Sequence, residues 1–140
     1  MIKKLLLFLC LILLLTACSS SDKVYTFKGC SFALNDTWTD SMSTEDTGIY
    51  SSEDDDMAIN IDFDTQPLSL PDYLADKEYE VGSVTVDGEA VQLFTYQEDR
   101  YYVRRFQVER SDGTYSFTVM SGEENPATYD KFLQTIKFND

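Results

Sequence analysis

The sequence predicts an α+β domain, an antiparallel β-sheet with two helices packed on it. Three observations carry this. Over residues 57–64, Met57, Ile59, Ile61 and Phe63 alternate with Ala58, Asn60, Asp62 and Asp64. Two glycine-containing turns, at Asp87-Gly88 and Ser111-Asp112-Gly113, each join a pair of alternating segments. Two further segments open on helix-start signals and continue with apolar residues at helical spacing.

The elements follow in order. Lys23–Phe27 alternates and reads as a strand, Gly29 breaks it, and Cys30–Leu34 reads as a second strand. Asn35-Asp36-Thr37-Trp38 is a turn ending in the single tryptophan, and residues 39–46 are polar loop. Gly48–Ser52 is a short strand. Met57, Ile59, Ile61 and Phe63 form the apolar face of the next one. Ser69 offers an N-cap, with Pro71 in the first turn and Asp72 three residues on. Leu70, Tyr73, Leu74, Lys77 and Val81 then predict a helix over 70–81, which Gly82 stops.

Ser83–Val86 and Glu89–Tyr96 form a hairpin about Asp87-Gly88. Arg100–Arg110 and Thr114–Ser121 form the second. With Asp112-Gly113 as its two-residue turn, Val108 faces Phe117 and Phe106 faces Val119, while Arg105, Gln107, Glu109, Ser116 and Thr118 occupy the other face. Asn125 as cap and Pro126 as first residue start the last helix. Its apolar face is Tyr129, Phe132, Leu133 and Ile136, and Ile136–Phe138 is open to a short edge strand. Tyr25, Phe27, Trp38, Phe63, Tyr73, Phe106, Phe117 and Phe132 fall at core-like spacings.

The N-terminus is read as an address. Lys3 and Lys4 precede an unbroken apolar run, Leu5 to Leu15. Eleven helical residues rise ~16 Å, about half a hydrocarbon core, which suits a signal-peptide h-region better than a span. Leu15-Thr16-Ala17-Cys18 resembles the lipobox of bacterial lipoproteins. The resemblance implies a signal peptide over 1–17 and transfer of a diacylglycerol, with acyl chains of the palmitate kind, to the Cys18 thiol. Cleavage before Cys18 follows. Two or three such chains anchor a protein stably, at ~0.8 kcal/mol per buried methylene. The expected location is the bacterial cell membrane, facing outside the cytoplasm. Residues 18–22 form a short tether reaching ~15 Å, so the domain over 23–140 sits close to the headgroups.

Charge excludes some functions. Of the 11 basic residues, two leave with residues 1–17, so nine face 25 acids and the processed chain carries −16. That balance argues against nucleic acid, which needs Lys and Arg to replace phosphate counterions. It also predicts that the most acidic face points away from an anionic membrane surface. The chain contains no histidine, which removes His-based triads and His-ligated zinc. After processing, Cys30 is the remaining free thiol, with no second cysteine to pair and no neighbouring base; it reads as a core residue.

Two clusters stand out. Glu53-Asp54-Asp55-Asp56, with Asp62 and Asp64 on one face of the following strand, has the carboxylate density that a hard cation such as Ca²⁺ requires. The EF-hand spacing and its glycine are missing, and a solvated turn beside strand-face acids is the alternative. Tyr96, Tyr101 and Tyr102 gather about the Gln97–Arg100 loop beside Arg104 and Arg105. Tyr and Arg are favoured at binding surfaces. The alternative is a strand edge blunted by two basic residues.

The run Phe27 to Trp38, the segment Leu70–Val81, the two hairpins and the terminal Tyr129–Phe138 resemble, in order and spacing, the PsbP-like fold. That group includes an extrinsic protein of photosystem II, a Ran-binding nuclear import factor and many bacterial lipoproteins. The resemblance spans residues 23 to 138 and implies an α/β/α sandwich. It carries no catalytic motif across. The expected protein is a lipid-anchored, non-enzymatic lipoprotein that binds an envelope protein or a small ligand. The alternatives are an accessory subunit of a surface complex or a Ca²⁺-binding envelope protein.

Overall fold

A computed structural model describes residues 22–139. The Cys18 anchor and the signal peptide lie outside the described residues. Antiparallel strands dominate, in two sheets. Strands β1 (Lys23–Phe27), β2 (Cys30–Leu34) and β10 (Lys137–Phe138) form the smaller, in the order β1-β2-β10. The larger has seven strands in the order β3-β4-β5-β9-β8-β7-β6. These are β3 (Thr39–Asp40), β4 (Thr47–Ser52), β5 (Met57–Asp64), β6 (Glu80–Val86), β7 (Glu89–Glu98), β8 (Tyr101–Arg110) and β9 (Gly113–Ser121). Two helices accompany them, α1 (Leu70–Tyr73) and α2 (Ala127–Thr135). Among the described residues, no helix is long and apolar enough to cross a membrane.

The alternation of β5 is realised: Met57, Ile59 and Ile61 are buried on one face. With Phe106, Val108, Phe117 and Val119 they form the main core, which the smaller sheet and α2 close with Phe27, Phe32, Phe132 and Ile136. On the opposite face of the large sheet, Leu70 and Leu74 pack on Phe94, Tyr96 and Val103 in a second core. The large sheet therefore carries one helix on each face, α2 over the main core and the short α1 over the smaller one.

Hairpin chemistry explains the register. Asp87 and Gly88 both take positive φ, 48° and 78°, as a type I′ turn demands. In the second hairpin Arg110 pairs with Gly113, so Ser111-Asp112 is the turn rather than Asp112-Gly113. Phe106 consequently faces Phe117, and Val108 faces Tyr115. The shift is by two residues, so every side chain keeps its predicted face. Phe106 and Phe117 stack at 4.8 Å. Gly113 is where the strand passes Phe63: a Cβ there would sit 2.5 Å from the ring.

The predicted helix over 70–81 stops after one turn. Ser69 caps it, accepting from Asp72 N at 3.4 Å and donating to Asp72 Oδ2 at 2.6 Å. Beyond Leu74 a longer helix would stack Asp72, Asp76 and Glu80 at i, i+4 spacing, a destabilising like-charge ladder. The chain instead joins β6, whose seven residues from Glu80 to Val86 all pair with β7. Gly82 is a strand residue, and Tyr73, expected in the core, is 48% exposed. The last helix begins one residue later than predicted. Pro126 occupies the cap position, with no side-chain cap bond, and Asn125 lies outside the helix.

Side-chain latches hold the smaller sheet to the larger. Asp87 at the β6–β7 turn accepts from Phe138 N at 3.0 Å and from Lys137 Nζ at 3.2 Å. The Phe138 amide, then the Lys137 hydrogen bond, hold its carboxyl below the usual range. The buried Tyr115 hydroxyl accepts from Gly29 N at 3.0 Å.

Candidate functional site

A cleft of about 800 Å³ opens beside the main core. Its floor is the paired residues Thr95 and Arg104, with Gln97 and Tyr102 above them. Leu93 supplies apolar surface, and Tyr129 of α2 forms a wall. Exposed acids, Glu78, Glu80 and Glu124, stand at its rim.

Arg104 and Tyr129 are the unusual pair. Arg104 is 6% exposed and Tyr129 7%. The Arg104 guanidinium carbon lies 4.6 Å from the centre of the Tyr129 ring. Its Nη1 donates to Ser121 Oγ at 2.9 Å, and that hydroxyl donates a hydrogen bond to Glu123 O at 2.6 Å. Ser121 is thus locked as an acceptor. This is Arg104's single hydrogen bond among the described residues, from a group with five N–H donors. No carboxylate of the described residues forms an ion pair with it. Burial pulls its pKa down, against the opposing pull of Tyr129, Asp130 and Glu124. The Tyr129 hydroxyl is buried without a hydrogen-bond partner, and burial pushes its pKa up to about 12. A partly satisfied buried cation beside an orphaned hydroxyl is costly unless something fills both valences.

The five residues expected to bind a partner divide between the two faces of the sheet edge. Tyr102 and Arg104 line the cleft, whereas Tyr96 borders it but carries its ring to the opposite face, into the core of Leu70, Leu74, Phe94 and Val103. Arg105 turns to the other face, where its Nε donates to Tyr96 Oη at 2.9 Å and its guanidinium stacks 4.5 Å from the Tyr73 ring. Tyr101 stacks on Arg100 at 4.3 Å and accepts from it at 2.7 Å. Strand alternation separates neighbours that look clustered in sequence. Tyr129 and the rim glutamates lie outside the Tyr/Arg cluster visible in sequence. They reach the cleft from α2, from the β9–α2 connection and from the start of β6, which no local spacing signals.

The acidic set does not converge on one point. Among the described residues no group of three or more acidic, cysteine or histidine side chains is placed to hold a metal ion. Asp62 and Asp64 lie at the far end of β5 from the Asp54–Asp56 turn, ~20 Å or more along an extended strand. The members also have other partners. Asp56 forms a two-pronged pair with Arg100, at 2.7 and 3.0 Å. That pairing holds its carboxyl below the usual range. Asp62 accepts from Thr47 Oγ1 at 2.9 Å, and Asp64 from Gln66 N at 2.8 Å. Asp55 Oδ2 accepts from Trp38 Nε1 at 3.0 Å, from Asn35 Nδ2 at 3.2 Å and from Thr128 Oγ1 at 3.4 Å. Asp54 is exposed. Cys30 is fully buried, and burial raises its thiol to about 12, which leaves it unreactive as a nucleophile.

The fold is PsbP-like. The solution structure of the PsbP protein CyanoP from Synechocystis sp. PCC 6803 is similar, with a TM-score of 0.60, 11% identity, and coverage of 86% of this chain and 94% of that one. A Bacteroides thetaiotaomicron VPI-5482 crystal structure is similar at the same TM-score, 0.60, with 9% identity over 85% of this chain. The match spans 48% of the Bacteroides chain, about half its length. No protein-family model and no curated protein matches the sequence.

Proposed function

We propose that this protein is a lipid-anchored, non-enzymatic protein of the bacterial cell envelope that binds a protein partner or small ligand in the Arg104–Tyr129 cleft. The observation that carries the binding reading is the unpartnered, buried Tyr129 hydroxyl beside the Arg104 guanidinium, which gives one hydrogen bond among the described residues, at a cleft of ligand size. The polar groups found there lack a nucleophile–base pair, which favours binding over catalysis. The anchor reading rests on Leu15-Thr16-Ala17-Cys18 behind an apolar run. In this reading the domain is a PsbP-like α/β/α sandwich with a covalent tether. Asp22, the first described residue, pairs with Lys131 of α2 at 2.7 Å. Residues 18–21 reach ~14 Å at most, so the end of the domain that bears Lys131 stands nearest the lipid. The net acidity of the chain supports partners other than nucleic acid.

Cys18→Ala should move the protein from the detergent phase to the soluble fraction, or accumulate the unprocessed precursor. Unchanged membrane partition would refute the anchor. A photo-reactive residue in place of Tyr102 should capture the bound molecule in intact cells.

A second reading, an accessory subunit of a surface complex, is favoured by one feature. β6 is the outer strand of the large sheet, and Val81 on it is 55% exposed. An open strand edge is a template for pairing with another chain.

A further inference from the structure

We infer that the cleft takes a short peptide ending in a free α-carboxylate, apolar near that end and cationic further back. The inference rests on the reading that the cleft binds a ligand, and it names the class. The deep end offers donors without acceptors. Arg104 has N–H groups beyond the one given to Ser121, and the Tyr129 hydroxyl has no partner. A planar carboxylate accepts from a guanidinium at two oxygens and has lone pairs left for a hydroxyl donor, a match that a neutral carbonyl makes only in part.

The mouth has the opposite sign. Glu78, Glu80 and Glu124 are exposed around it, so a polyanion or a second carboxylate is repelled while an ammonium group is attracted. Glu124 lies close enough to act electrostatically on Arg104 yet forms no ion pair with it, so the guanidinium is left for an incoming anion. Between the two ends, Leu93 and Tyr102 offer apolar and aromatic surface. The volume decides between a single amino acid and a longer molecule. About 800 Å³ lies in the upper part of the ~300–1,000 Å³ range of small-molecule sites, far more than one amino acid fills.

The test is calorimetric titration of the full lipidated chain, in detergent, with lysyl-leucyl-leucine, its C-terminal amide and glutamyl-leucyl-leucine. The free acid should bind, and the amide and the glutamyl peptide should each bind at least tenfold more weakly. Arg104→Gln should weaken the free acid at least tenfold. Tyr129→Phe keeps the ring under Arg104 and removes a hydroxyl that has no partner in the fold. It should weaken binding severalfold while the melting temperature holds or rises, which a merely structural tyrosine hydroxyl would not do. The same tripeptide at the C-terminus of a carrier protein assigns the source. Equal affinity points to protein tails, and binding of the free peptide alone to free oligopeptides; both keep the carboxylate chemistry. Equal binding of acid and amide overturns the proposal, as does no binding of either at millimolar concentration. If either result comes with Arg104-dependent capture at Tyr102 in cells, the binding reading stands and the peptide class alone has failed.

Discussion

Phe32→Ala is expected to remove about 3–5 kcal/mol of folding stability, the usual range for truncating a buried phenylalanine. Phe32 is 1% exposed and stands where three elements meet. Its ring stacks on Tyr25 at 5.9 Å and meets the rings of Tyr50 at 5.0 Å and Phe132 at 5.2 Å edge to face. The loss therefore combines transferred apolar area, a cavity, and aromatic pairs worth ~0.5–1.5 kcal/mol each beyond area. Against a typical stability of ~5–15 kcal/mol, the variant stays folded only if the parent lies well up that range. The readout is the urea midpoint at unchanged slope. Tyr73→Ala, at a position half exposed and stacked on Arg105, is the contrast and should change stability by about 1 kcal/mol at most. Equal losses for the two would contradict the placement of the core.

Asp55→Ala is expected to destabilise the fold by about 1–3 kcal/mol, because it strands a buried donor. Trp38 is fully buried, and its indole N–H ends on Asp55 Oδ2. The same oxygen accepts from Asn35 and Thr128, so one carboxylate joins the turn after β2, the turn before β5 and the start of α2. Asp54→Ala removes an equal charge one residue away from an exposed position and should stay within about 0.5 kcal/mol. Removing either acid relieves the net negative charge equally, so the difference between the two melting curves isolates the latch. Indistinguishable curves would mean that the Trp38 indole finds another acceptor.

Local chemistry made most of the fold legible in the sequence. The β5 alternation, the Asp87-Gly88 turn and the Ser69 cap each follow from a short-range rule, and each forms where its residues predict. The errors arose where a local rule competed with a distant partner. Val81 sits at helical spacing from Leu70 and Leu74, yet β7 offers Glu80 to Val86 a full ladder, and the ladder prevails. Two adjacent residues, Asp112 and Gly113, both suit a turn; Gly113 goes to the strand because Phe63 passes too close for a side chain.

The candidate site was half legible. Tyr102 and Arg104 belong to the Tyr/Arg cluster visible in sequence, because they lie about one hairpin, while Tyr96 of the same cluster turns to the opposite face. Their essential companion, Tyr129, is 25 residues beyond Arg104 and reads in isolation as an ordinary apolar helix position. The acid run illustrates the converse. Its members are near in sequence, but β5 is extended, and extension carries Asp62 and Asp64 away from Asp55 and Asp56.

The central claim is that an anchored domain uses Arg104 to hold a ligand in its cleft. Photo-crosslinking in intact cells tests it most directly, with p-benzoylphenylalanine in place of Tyr102 and, as control, in place of Tyr73 on the opposite face. The binding reading requires a light-dependent adduct at Tyr102 that is absent at Tyr73 and lost when Arg104→Gln is added. No adduct at Tyr102, or one that Arg104→Gln leaves intact, would contradict it.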